Sequence, residues 1–149
     1  MGPQERERVA EFIGIYDADG GVRGEAAYLV GKLRGTAHCA LCDVTHATVR
    51  RKPGWDGVVD RLGVPFALLH RNELDDDVTA AIAHLPLAVV LARLTDGTLA
   101  VALGSDALEG LDGDLGAFES ALGAAVFANR WELAGRSPGG ISAHRRRLR

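Results

Sequence analysis

The most constraining stretch of this chain is Thr95-Asp96-Gly97, set between two apolar runs, PLAVVLARL (86–94) and TLAVALG (98–104). An Asp-Gly pair tolerates the positive φ that a tight turn demands, so the two runs are predicted to be adjacent antiparallel strands. The earlier apolar runs, VAEFIGIY (9–16) and VPFALLH (64–70), are separated instead by a long stretch with helical spacing. Strands joined in that way run parallel, through a right-handed crossover. ELDDDVTAAIAHL (73–85) then reads as a helix with acids in its first turn, where the macrodipole favours them. Together these constraints specify a mixed four-stranded sheet with helices on both faces.

The remaining segments fit that plan. Residues 22–34 place Val22, Ala26, Leu29, Val30 and Leu33 at helical spacing, with Gly35 as a stop signal. Thr36 is an N-cap candidate for a second crossover helix over 37–50, and Pro53 opens a short third one over 53–62. Residues 105–133 read as helical with glycine interruptions. No linker or repeat divides the chain, so residues 1–135 are expected to form a single domain. At 47 % apolar and 25 % charged residues, the composition excludes a disordered chain.

Charge and hydropathy narrow the function classes. The tail, 136–149, carries five Arg and no acid; without it, the net charge of −3 becomes −8 on residues 1–135. A dedicated nucleic-acid-binding domain is not expected from an acidic body, and the basic tail reads as a flexible, solvated end. No apolar run approaches the roughly 20 residues of a membrane span. The polar, acidic start MGPQERERVAEF lacks the features of a secretory signal, so a cytoplasmic location is expected.

The strand and helix order resembles the thioredoxin fold. That resemblance implies a cis bond at Leu85-Pro86, before the third strand and beside the active site. Tyr16-Asp17-Ala18-Asp19-Gly20-Gly21-Val22-Arg23 is similar to the opening of the DCC-type thiol-disulfide oxidoreductases, where Tyr-Asp-Gly-Asp leads into Cys-x-x-Cys. Laid on that pattern, Gly20 and Arg23 stand where the two catalytic cysteines belong, so the usual redox pair is missing from its usual place. The chain also resembles a group of small bacterial proteins with Y-x-A-D-x-G, C-x-L-C-x-x-T-H and L-H-R-x-E. Here these are Tyr16 to Gly21, Cys39 to His46, and Leu69-His70-Arg71-Asn72-Glu73.

Cys39 and Cys42 are the only two cysteines, and in a cytoplasmic chain a C-x-x-C pair reads as metal-binding or redox-active before it reads as a structural staple. On a helix over 37–50, Cys39, Cys42 and His46 fall within roughly 60° of one another around the axis. Two sulfurs and an imidazole on one stripe suit a zinc or copper ion. His70, at the end of the second strand, is the best fourth ligand, ahead of His38 and Asp43. Asp17 and Asp19 lie at the sheet rim, the usual ligand-binding edge of open α/β sheets, with Pro86 nearby. As an Asp-Ala-Asp-Gly-Gly run, they read first as a turn.

Two other readings stay open. In one, Cys39 is an attacking thiolate and Cys42 resolves the disulfide, with Arg50, Arg51 and Lys52 favouring the thiolate. In the other, the cysteines are core packing in a module that binds a protein or small-molecule partner without chemistry. Glu73, Asp75, Asp76 and Asp77 read as a helix-start charge cluster. No glycine pattern supports a nucleotide cofactor, and neither Ser105 nor Ser120 has the setting of a hydrolase nucleophile.

Overall fold

Nine residues, Arg8–Tyr16, form the central strand β1 of a computed structural model that describes residues 6–17, Leu41, Thr45 and 54–135. After β1 come α1 (Trp55–Leu62), β2 (Phe66–His70), α2 (Asp76–Ile82), β3 (Val89–Leu94) and β4 (Leu99–Leu103). Two further helices, α3 (Ser105–Glu109) and α4 (Leu115–Ala128), precede a two-residue strand β5 (Glu132–Leu133). The strand order is β2-β1-β3-β4, with β5 paired to the start of β1. β1 runs parallel to β2 and antiparallel to β3, and β3 runs antiparallel to β4. The parallel and antiparallel pairings are those expected from connection length.

The Asp-Gly joint is a three-residue hairpin loop. Gly97 has φ 91° and donates to the carbonyl of Leu94 at 2.9 Å, while the Leu94 N–H donates to the carbonyl of Thr98 at 2.8 Å. Asp96 Oδ1 accepts from the Thr98 N–H at 2.9 Å, closing the turn with its own side chain.

Side chains alternate between the two faces of the sheet. Phe12, Tyr16, Val90, Ala92 and Leu94 face one way, into a core with Leu41, Trp55, Val58, Leu108, Phe118 and Leu122. Ile13, Ile15, Val89 and Leu91 face the other way and are covered by Val78 of α2. Helices therefore cover both faces. Gly14 points toward the first face, where a Cβ would lie 2.9 Å from Leu41 Cδ2, 3.0 Å from Leu68 Cδ2 and 3.1 Å from Phe66 Cε1. Its missing side chain lets the helical, buried Leu41 close onto the sheet.

Four expectations need correction. The sheet gains β5, a fifth strand, whose pairing of Glu132 with Arg8 is a tertiary choice. The helical stretch after β4 is broken, because Asp112 and Gly113 adopt positive φ (50° and 74°) and Asp114 then caps α4, accepting from the Ala117 N–H at 3.1 Å. The Leu85-Pro86 bond is not cis; the cis bond is Leu87-Ala88. Pro86 is exposed and three residues upstream of Val89, where the ladder begins. Finally, Glu73 is not in the first turn of a helix, since α2 begins at Asp76.

Candidate functional site

The register pairs Tyr16 with His70 at the carboxyl ends of the parallel strands β1 and β2. His70 shares its face with Phe66 and Leu68, the face onto which Leu41 packs, so its ring lies beside that of Tyr16 at a centroid distance of 5.1 Å. The Tyr16 hydroxyl is hydrogen-bonded to the buried Thr45 Oγ1 at 3.0 Å. Thr45 is helical and one residue before His46; Leu41 lies between Cys39 and Cys42. The segment expected to supply most ligands is thus anchored at two points, Leu41 against Gly14 and Thr45 against Tyr16.

Past His70 the chain turns back on itself. The Glu73 N–H donates to the His70 carbonyl at 3.0 Å, bringing the Glu73 carboxylate under the residue three positions earlier. Glu73 Oε1 accepts from the His70 backbone N–H at 2.8 Å and lies 2.6 Å from His70 Nδ1. Those two contacts, the backbone one first, hold the Glu73 carboxyl below its ordinary value. Next to them Arg71 Nη1 donates to Asp17 Oδ1 at 3.2 Å. Because Ile15 pairs with Val89, the segment 86–88 before β3 enters the sheet at this same end.

Of the residues singled out in the sequence, His70, Asp17 and Pro86 are described; Cys39, Cys42, His46 and Asp19 lie outside the described residues, as do the helix expected over 22–34 and the tail 136–149. His70 and Asp17 are brought to one rim, with Asp17 taken up by an ion pair to Arg71. Among the described residues, no three His, Cys, Asp or Glu side chains gather closely enough to hold a metal ion. A cleft of about 270 Å³ lined by Val59, Asp60, Gly63, Val64 and Pro65 opens before β2, at the opposite end of that strand from His70. With one ionisable side chain among those residues, it offers no donor set.

Tyr16, Thr45 and Glu73 stand in the motifs Y-x-A-D-x-G, C-x-L-C-x-x-T-H and L-H-R-x-E, but the sequence assigned none of them a role at the rim. For Glu73 the signal was the interval His-x-x-Glu, which the acidic run after it obscured. Among the described residues, no helix is long and apolar enough to cross a membrane. Comparisons with protein-family models, with curated proteins and with solved structures find no match to this chain.

Proposed function

We propose that the rim at the carboxyl ends of β1 and β2 is one wall of a transition-metal site whose ligands are Cys39, Cys42, His46 and His70. A single linkage carries the reading: Thr45, the residue before His46, is hydrogen-bonded to Tyr16, whose ring lies tilted beside that of His70. The C-x-x-C-x-x-x-H run and His70 are therefore joined through one side chain. Two thiolates and two neutral imidazoles form a donor set suited to Zn²⁺ or Cu⁺. No residue of this set requires a nucleotide or organic cofactor.

The same reading includes a thioredoxin-like arrangement, supported by the strand order β2-β1-β3-β4, the parallel β1–β2 pair and the placement of α2 on the face opposite α1 and α4. That arrangement also favours a second reading, thiol-disulfide exchange with Cys39 attacking and Cys42 resolving. Metal content of the chain purified without chelator separates the two. A bound metal near one per chain, lost in both Cys39→Ser and His70→Ala, supports the metal site. Metal-free protein with a reversible Cys39–Cys42 disulfide at a cytosolic potential overturns it in favour of exchange.

A further inference from the structure

We infer that Glu73 is a positioning residue that fixes the tautomer of His70, leaving Nε2 as the open, lone-pair-bearing nitrogen of the rim. An ionised carboxylate only accepts hydrogen bonds, so the ring nitrogen 2.6 Å from Glu73 Oε1 must carry a proton. In a neutral imidazole, a proton on Nδ1 leaves Nε2 with its lone pair exposed. Nε2 has no hydrogen-bond partner among the described residues.

The carboxylate is itself held in place. The same oxygen accepts from the His70 backbone N–H at 2.8 Å, and the Glu73 N–H closes the turn onto the His70 carbonyl at 3.0 Å. Ring and carboxylate are therefore oriented by a four-residue turn, and α2, which starts three residues later, is not needed. The Tyr16 ring packs beside the imidazole at a centroid distance of 5.1 Å. A histidine held on one nitrogen by a carboxylate, with the other nitrogen open, is the arrangement that metal-ligating histidines commonly use. Orientation of a metal ligand is the part of this inference that rests on the proposed metal site; the tautomer does not depend on it.

The test uses the full chain and three variants: Glu73→Ala, Glu73→Gln and, for assignment, His70→Gln. Long-range proton–nitrogen NMR is recorded at alkaline pH, where imidazoles are neutral. The wild-type chain is expected to show His70 protonated at Nδ1, Glu73→Ala to lose that signature, and Glu73→Gln, which keeps an acceptor oxygen, to retain it. If the wild-type proton sits on Nε2, or Glu73→Ala leaves the tautomer unchanged, the inference is overturned. Zn²⁺ titration supplies the second readout, with affinity falling about 10- to 100-fold in Glu73→Ala and recovering in Glu73→Gln. If the wild-type chain takes up no Zn²⁺ while the tautomer responds as expected, the metal site fails and the positioning role stands. If Zn²⁺ is taken up while the tautomer does not respond, the positioning role fails and the metal site stands.

Discussion

The face of the sheet that carries Phe12, Gly14 and Tyr16 is closed by interlocked aromatic rings, whereas the face that carries Ile13 and Ile15 is closed by branched aliphatics under one short helix. On the first, Trp55, Phe66 and Phe118 form a triangle with centroid separations of 5.0, 5.6 and 6.0 Å, and Phe12 joins at 5.8 Å from Phe66. On the second, Val78 of α2 meets Ile13, Ile15, Val89 and Leu91, and the edge is finished by Arg93, which reaches Asp77 at 2.6 Å and Glu11 at 3.2 Å. The candidate site belongs to the first face. Tyr16, Leu41 and Thr45 are fully or almost fully buried there, and Tyr16 and Leu41 belong to its core. The lesson is that the larger core backs the rim where chemistry is proposed, while the smaller one depends on a helix tied down by exposed charge.

That difference can be broken by truncation. Phe118→Ala is expected to cost about 3–5 kcal/mol, and Val78→Ala about 2 kcal/mol, both read from urea unfolding. Equal losses would contradict the unequal division of the core. Gly14→Ala sharpens the point on the aromatic face alone: its new methyl meets Leu41, Leu68 and Phe66, and overpacking of this kind costs about 1–3 kcal/mol. A neutral or stabilising outcome would mean that Leu41 does not rest on Gly14.

The link between the core and the rim is smaller in energy. Tyr16→Phe removes the hydroxyl bonded to Thr45 and is expected to cost about 1 kcal/mol. In a double-mutant cycle with Thr45→Val, the two losses should fail to add. Additive losses would show that the pair does not interact.

The smallest effect lies on the aliphatic face. The hydrogen bond from Arg93 holds the Asp77 carboxyl below its ordinary value, with smaller help from the Val78 N–H and the charge of Arg93. A carboxyl lowered on folding stabilises the folded state above its unfolded pKa, and that help disappears as pH falls through the lowered value. Asp77→Asn should therefore differ slightly from the wild-type chain at neutral pH and converge with it in acid. Because the pair is exposed, added salt should shrink the difference. A gap that widens in acid would reverse the sign.

Much of this architecture was legible in the sequence because connection length decides strand direction. The Asp96-Gly97 loop and the long 17–63 connection required antiparallel and parallel partners without any reference to the rest of the chain. β5 was not legible, since a two-residue strand has no period and exists only because Arg8 and Val9 offer it an edge. The break between α3 and α4 was legible only as glycine interruptions; the turn itself, with positive φ at both Asp112 and Gly113, was not.

At the candidate site, His70 was legible as the residue ending the second strand. The start of β3 was misplaced because residues 86–92 are all apolar, and hydropathy alone does not say where the ladder begins. Glu73 was hidden by its neighbours. One acid among Asp75, Asp76 and Asp77 looks like helix-start charge, and only the turn that folds it under His70 distinguishes its role.

X-ray absorption at the zinc edge, on the full chain loaded with one equivalent of Zn²⁺, tests the central claim most directly. Two sulfurs at about 2.3 Å and two nitrogens at about 2.0–2.1 Å are expected, with one nitrogen lost in His70→Ala and one sulfur in Cys39→Ser. A shell of oxygen and nitrogen alone, unchanged by either substitution, would contradict the proposed convergence of Cys39, Cys42 and His46 with His70.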